Sequence, residues 1–204
     1  PSLVTSTDPP YNTKLPNSLQ IKPLVRLEDS RNISLKNNSV DIIVTSPPYG
    51  EERSTMPYTT FSKLSLLWLG YKYEDILTAM RQSLGAKTKK EMFDLPSDTL
   101  QETIKKINNE KRSRDVLSFF FDYYAVLKEL HRVLKRNGFC CIVIGNRTVR
   151  KVPIPNNKIT IELAESLGFR EEITYLRTHP KKVLPRNDGR VNLINKESII
   201  VLKK

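Results

Sequence analysis

Glycine is scarce in this chain. Its seven copies (Gly50, Gly70, Gly85, Gly138, Gly145, Gly168 and Gly189) stand singly, so there is no GxxxxGK[ST] loop of the kind that cradles nucleotide phosphates. Histidine and cysteine are scarcer still, at two each. His131 lies inside a helical pattern and His179 precedes a proline. Neither has a cysteine or carboxylate at metal-ligand spacing, which argues against a metal centre. Cys140 and Cys141 are adjacent within the apolar run FCCIVIG. Strand neighbours point to opposite faces, so a mutual disulfide is disfavoured and two buried free thiols fit a reducing, intracellular setting. No apolar run is long enough to span a membrane, there is no signal peptide, and no nucleophile stands with a base at a telling spacing.

Positive charge is abundant. Lys and Arg number 34 against 22 acidic residues, giving +12 and a pI near 9.7. That balance favours a polyanionic partner and salt-sensitive association. A basic, soluble surface would give the same count, so charge alone does not choose. At 204 residues the chain is long enough to bury a real core.

The stretch that organises the rest is Ser39 to Gly50, SVDIIVTSPPYG. Val40, Ile42, Ile43 and Val44 read as a strand buried on both faces of a parallel sheet. Ser46-Pro47-Pro48-Tyr49 follows at its carboxyl end, where open α/β sheets place their ligands. Two prolines fix φ and remove two amide donors, leaving a stiff loop with a hydroxyl, free carbonyls and an aromatic ring. Such a loop can hold a flat, amine-bearing group.

Thr45-Ser46-Pro47-Pro48-Tyr49 after an apolar strand resembles the catalytic motif of the DNA amino-methyltransferases, which methylate cytosine N4 or adenine N6. The serine form is similar to the cytosine-N4 branch, whereas the adenine branch more often has Asp or Asn there. Glu28-Asp29-Ser30-Arg31-Asn32 resembles the family's acidic motif. Gly50 to Leu69, with Tyr58, Phe61, Ser62 and Leu64 to Trp68, resembles the segment after the catalytic loop. Phe121 to Asn146, ending LKRNGFCCIVIGN, resembles the next helix and strand. The similarity runs from about Leu27 to the C-terminus.

The resemblance implies an α/β fold, part of a Rossmann-like S-adenosylmethionine-dependent methyltransferase sheet with a C-terminal β-hairpin and a helical insertion. It implies double-stranded DNA as partner and a cytoplasmic, prokaryote-like setting of the restriction-modification kind. Asp29, Thr45 and Ser46 would meet the cofactor, and Ser46, Pro47, Pro48 and Tyr49 would do the chemistry. An exocyclic amine is a poor nucleophile because its lone pair is delocalised into the ring. Ser46 Oγ and the Pro47 carbonyl would accept its two N–H groups, while Tyr49 stacks on a base flipped from the duplex. Arg53, Tyr58, Lys181, Lys182 and Arg186 are the candidate nucleic-acid contacts. Adenine N6 in DNA or a base in RNA is the alternative substrate, and a non-catalytic DNA-binding subunit is the alternative of another class.

One departure matters. The family's glycine-bearing cofactor loop, of the form Asp-Pro-Phe-x-Gly-Ser-Gly, has no counterpart here. The chain thus carries the catalytic half, with the remainder either missing from this sequence or supplied by a second polypeptide. Weak or absent cofactor binding by the chain alone is the expectation.

In chain order, residues 1–23 read as an arm or linker and 24–204 as the catalytic half-domain. Within the arm, Asp8-Pro9-Pro10-Tyr11-Asn12 looks like an adenine-type motif but lacks a convincing strand before it, which favours a chance match. Leu24–Leu27 is a weak strand ending at Glu28 and Asp29. Asp29 is either a cofactor contact or a turn acid. A polar loop (51–60) leads to an apolar helix beginning at Leu64. A helical insertion at about 73–112 carries basic clusters at 85–90 and 105–106 that suit phosphates, another subunit or a plain solvated face. Ser113–Lys135 is an amphipathic helix with Val116, Phe119, Phe120, Tyr123, Val126, Leu127, Leu130 and Leu134 on its apolar face. Asp122, Lys128, Glu129, Arg132 and Lys135 take the other. Asn137-Gly138 ends it. Phe139–Ile144 is a buried strand, Ile159–Leu167 a helix stopped by Gly168, and 170–177 with 197–202 an antiparallel pair around a basic loop at 181–190.

Overall fold

The computed structural model describes residues 23–26, 28–51, 58–89, 94–178 and 196–204, with only the backbone of 58–61. Arg53, the Tyr58 side chain, Lys181, Lys182, Arg186 and the Asp8–Tyr11 match lie outside the described residues. The elements are β1 (Val40–Thr45), α1 (Tyr58–Trp68), α2 (Tyr73–Gln82), α3 (Asp98–Lys106), α4 (Glu110–Val133), β2 (Leu134–Gly145), β3 (Arg147–Val149), β4 (Val152–Ile154), α5 (Asn156–Glu165), β5 (Arg170–Thr178) and β6 (Lys196–Lys203).

Four strands form one sheet in the order β1-β2-β6-β5, and β3 with β4 forms a separate hairpin. β1 runs parallel to β2, whereas β6 is antiparallel to both β2 and β5. This is the mixed α/β sheet with a closing β5–β6 pair that the sequence led us to expect.

Helix α4 supplies the core. All eight apolar positions read from its periodicity are buried. Asn109 caps its start, the side chain accepting the Arg112 amide at 2.9 Å. Phe119, Phe120 and Tyr123 pack as an aromatic cluster with centroids 5.2 to 6.4 Å apart. Each ring stabilises the fold by about 1.5–3 kcal/mol through burial. α4 and α5 lie against the sheet, where Cys140, Ile142, Ile144, Ile200 and Leu202 are fully buried.

Five expectations need correction. First, β1 is not buried on both faces: it lies at the sheet's end, with Ile42 59% and Val44 72% exposed. Phe139, Ile173 and Tyr175, by register on that same face, are exposed too. Among the described residues no element covers this apolar face, and no strand pairs the outer edge of β1. Second, Pro23–Arg26 has no regular structure, and Leu24 and Val25 project into solvent. Two apolar residues without a neighbouring strand to pair with do not make one. Third, the first helix begins at Tyr58 rather than Leu64.

Fourth, Asn137-Gly138 does not separate helix from strand: β2 starts at Leu134, directly after α4, and the pair forms an irregularity within it. Asn137 takes φ 61°, and a Cβ on Gly138 would stand 2.9 Å from the Asp41 carbonyl. A bulge therefore takes the place of a turn. Fifth, the helix read as Ser113–Lys135 runs from Glu110 to Val133, and its polar side bonds to two loops. Asp122 is buried, accepting the Gly85 amide at 3.0 Å and pairing with Lys89 at 3.2 Å and Arg31 at 3.5 Å. Arg132 donates to the carbonyls of Ile33 and Leu35 at 2.7 and 2.9 Å, and Glu129 accepts the Ile33 amide. This strip satisfies the backbone of two loops that have no strand partner. Lys89, in the basic cluster at 85–90, pairs with Asp122 at 3.2 Å.

Cys140 is buried and Cys141 half-buried, both free thiols on opposite faces. Burial pushes the Cys140 thiol up to about 12. No described helix is long and apolar enough to cross a membrane, and no described cluster of His, Cys, Asp and Glu could hold a metal.

Candidate active site

β1 ends at Thr45 beside Ile142 of β2, and the chain leaves the sheet as Ser46-Pro47-Pro48-Tyr49. Neither proline can donate to a ladder, so the loop is fixed by its side chains and by groups that reach its carbonyls. Four attachments hold it.

Ser46 is exposed, and its Oγ donates to the Val143 carbonyl at 3.1 Å. Its one proton is therefore committed to β2, and the oxygen turns its lone pairs outward as an acceptor. Asn156, at the start of α5 and fully buried, donates through Nδ2 to the carbonyls of Tyr49 and Gly145, both at 2.8 Å. One amide thus ties this loop to the end of β2. Tyr49 packs half-buried against the core, and its hydroxyl donates to Glu197 Oε1 at 2.5 Å. Glu197, on β6, also pairs with Arg177 of β5.

Glu51, two residues past the tyrosine, is fully buried as a charge. Arg147 of β3 approaches it at 2.6 Å and Arg112 of α4 at 2.8 Å. Arg112 also bridges to Asp115 at 2.8 Å, and the Arg147 guanidinium lies 5.8 Å over the Phe119 ring. A buried carboxylate persists only with such partners. Gly85 is required where the insertion crosses here. It takes φ +66°, and a Cβ would meet Phe119 Cβ at 2.9 Å and Glu51 Cβ at 3.1 Å.

Asp29 bonds within its own turn. Its Oδ1 accepts the Arg31 amide at 2.9 Å, an Asx-turn, and its carboxylate takes the Arg31 guanidinium at 2.7 Å. The bond from Arg31 holds its pKa below the usual carboxylate value. The carboxylate is half-exposed, so it retains lone pairs for a ligand. Thr45 is half-buried at the tip of β1.

Ser46, Pro47, Pro48 and Tyr49 are thus brought together at a strand's carboxyl end, and Thr45 adjoins them. The sequence reading missed Asn156, Glu197 and the roles of Glu51 and Arg147. An Asn after Pro155 at a helix start carries only a weak capping signal, and Glu197 is 148 positions from Tyr49.

The DNA methylase family model for N6 and N4 enzymes matches residues 40–204. The type II methyltransferase M.MvaI of Kocuria varians is 33% identical over 93% of this chain, which spans only 45% of that relative's length. Among solved structures, a Thermus thermophilus protein described as a DNA modification methylase, in complex with S-adenosyl-L-methionine, aligns at 18% identity with a TM-score of 0.47. It covers 87% of this chain and 54% of the other. The cytosine-N4-specific PvuII DNA methyltransferase aligns at 13% identity with a TM-score of 0.48, covering 87% and 47%. With its sequence matched from β1 to the last residue, this chain belongs to the N6/N4 DNA methylase family.

Proposed function

We propose that this chain is the catalytic half of an S-adenosylmethionine-dependent DNA methyltransferase acting on the exocyclic N4 of a cytosine flipped from double-stranded DNA, in a restriction-modification setting. The observation that carries the reading is the Ser46–Val143 bond. With its proton given to a backbone carbonyl, Ser46 Oγ can only accept, which is what an amine N–H requires. The Pro47 carbonyl, on a residue with no N–H, accepts the second. Two acceptors on one amino group draw its lone pair out of conjugation and raise electron density on nitrogen. Tyr49 presents its ring as the stacking surface for the flipped base.

The donor side fits in part. Thr45 and Ser46 place polar groups at the strand tip beside an unpaired edge, and Asp29 keeps exposed lone pairs suited to hydroxyl or amino groups of the adenosine. Bound there, the cofactor supplies a methyl group on a sulfonium centre. A second polypeptide or further segment carrying the glycine-rich loop would complete that side. The unpaired edge of β1 and the open face around Ile42, Val44 and Tyr175 support this, since such a surface is a liability left bare. Arg53, Tyr58, Lys181, Lys182 and Arg186 are proposed as DNA contacts, and the site of action as the cytoplasm.

Nucleoside mass spectrometry on DNA from cells that hold the chain and the cofactor-binding half tests the reading. N4-methylcytosine is the expected product, reduced about 10- to 100-fold by Ser46→Ala. N6-methyladenine would move the reading to adenine. No methylated base, with DNA affinity unchanged in Ser46→Ala and Tyr49→Ala, would mark a DNA-binding subunit and overturn it.

A further inference from the structure

The proposed chemistry assigns Tyr49 a ring but leaves its hydroxyl without a task. That hydroxyl donates to Glu197 Oε1 at 2.5 Å. Glu197 comes from the last strand, where it stands opposite Gly145 of β2 on one side and Arg177 of β5 on the other. Its carboxylate is only 11% exposed and is paired with the Arg177 guanidinium. It is therefore a fixed acceptor at the carboxyl end of β2, the end from which the catalytic loop emerges.

Phenol geometry gives this contact a consequence. A phenolic O–H lies in the plane of its ring because the oxygen is conjugated with it. The direction of the acceptor therefore sets the rotation about Cβ–Cγ, a torsion that is otherwise broad. The other end of the residue is fixed as well, its carbonyl held by Asn156 at 2.8 Å. With both ends held, the plane of the ring is defined before any base arrives.

We propose that Glu197 is a positioning residue for methyl transfer, acting through the Tyr49 hydroxyl to set the tilt of the ring on which the flipped base stacks. The inference rests on the reading of Tyr49 as the stacking surface. A base stacked on a tilted ring still binds, but its amino nitrogen leaves the line of methyl transfer. The loss falls on rate rather than on affinity.

The test uses the assembled enzyme with unmethylated phage DNA and isotopically labelled S-adenosylmethionine. Glu197→Ala lowers kcat about 10- to 100-fold while KM for the DNA stays within about twofold. Glu197→Gln, whose carbonyl oxygen still accepts, keeps most of the rate. Tyr49→Phe retains the ring but loses the hydroxyl, and reproduces the kcat loss of Glu197→Ala even if that variant folds poorly. In the Tyr49→Phe background, Glu197→Ala has no further effect. Full kcat in Tyr49→Phe, or losses that multiply in the double variant, overturns the inference and leaves the proposed function standing. A wild-type enzyme that transfers no methyl group takes both down.

Discussion

Replacing Asn156 with alanine tests the claim that one buried amide fastens the catalytic loop to the sheet. Its Nδ2 donates at 2.8 Å to two carbonyls, that of Gly145 fully buried and that of Tyr49 at the half-buried loop. Two acceptors converging on one group leave no doubt about which end of the amide faces them, since an oxygen there would repel both. Removing the donor takes this partner from the buried Gly145 carbonyl and from the less buried one of Tyr49. At about 1–3 kcal/mol for each buried group left unsatisfied, the lower part applying to Tyr49, the loss is about 2–4 kcal/mol. For a chain of 204 residues this lowers the melting temperature by about 4–16 °C. Asn156→Asp makes a sharper case. It keeps the volume but turns a carboxylate toward two carbonyls, and so costs more than alanine does. Urea unfolding followed by circular dichroism gives both values, with an unchanged m confirming a like transition. If Asn156→Asp is as stable as the wild type, or more stable than Asn156→Ala, the residue fills space and does not fasten the loop.

Two further outcomes follow from burial and from the open edge. With its pKa raised to about 12, Cys140 stays protonated in the folded chain and resists a thiol reagent at pH 8 that labels it in urea, whereas half-buried Cys141 reacts first. Because the folded state holds this proton more tightly than the unfolded one, its contribution to stability is complete below about pH 9 and lost as pH rises toward 12; Cys140→Ala flattens that alkaline limb in a urea-midpoint series, and an unchanged limb refutes the assignment. Calorimetry of the chain alone with S-adenosylmethionine gives weak or no binding, and tight binding to a monomer would show that the chain needs no complement for its cofactor.

The sequence made legible whatever depends on neighbours along the chain. The three- and four-residue spacing of α4 identified seven of its core positions and Leu134 just beyond it, β-branched runs marked β1 and β2, and Gly168, at φ +98°, closed α5. What escaped depends on the third dimension. The β3–β4 hairpin turns through Arg150 and Lys151, both at positive φ, where no Asn-Gly or Gly announces a turn. Asp122 and Arg132 sit at polar positions of an amphipathic pattern, yet serve as hydrogen-bonding posts for loops that periodicity cannot place. At the site, the motif Ser46–Tyr49 could be read directly. Its supports could not, because Asn156 of α5, Glu197 of β6 and Arg147 of β3 become neighbours of the loop only in the folded chain.

The distribution of those supports separates two tasks. Every described attachment of the catalytic loop comes from later in the chain: Val143 of β2, Asn156 of α5, Glu197 of β6, and Arg112 and Arg147 around Glu51. None depends on the outer edge of β1, although Glu197 stands by register on the same face as Tyr175 and Ile173. The loop's shape is thus set from the β2 side of β1 rather than from its outer edge, while Ile42 and Val44 stay exposed among the described residues. On the proposed reading, the grip on the base is built wholly within this chain, and what joins the open side brings the methyl donor to an acceptor set that is already in place. The two binding events then share only Thr45 and Ser46 at the strand tip. Loosening the supports of the loop through Asn156 or Glu197 should therefore leave donor affinity largely intact, whereas a charge at Val44 should weaken donor affinity while the grip on the base persists. A charge at Val44 that spared donor binding in the assembled enzyme would place the donor elsewhere.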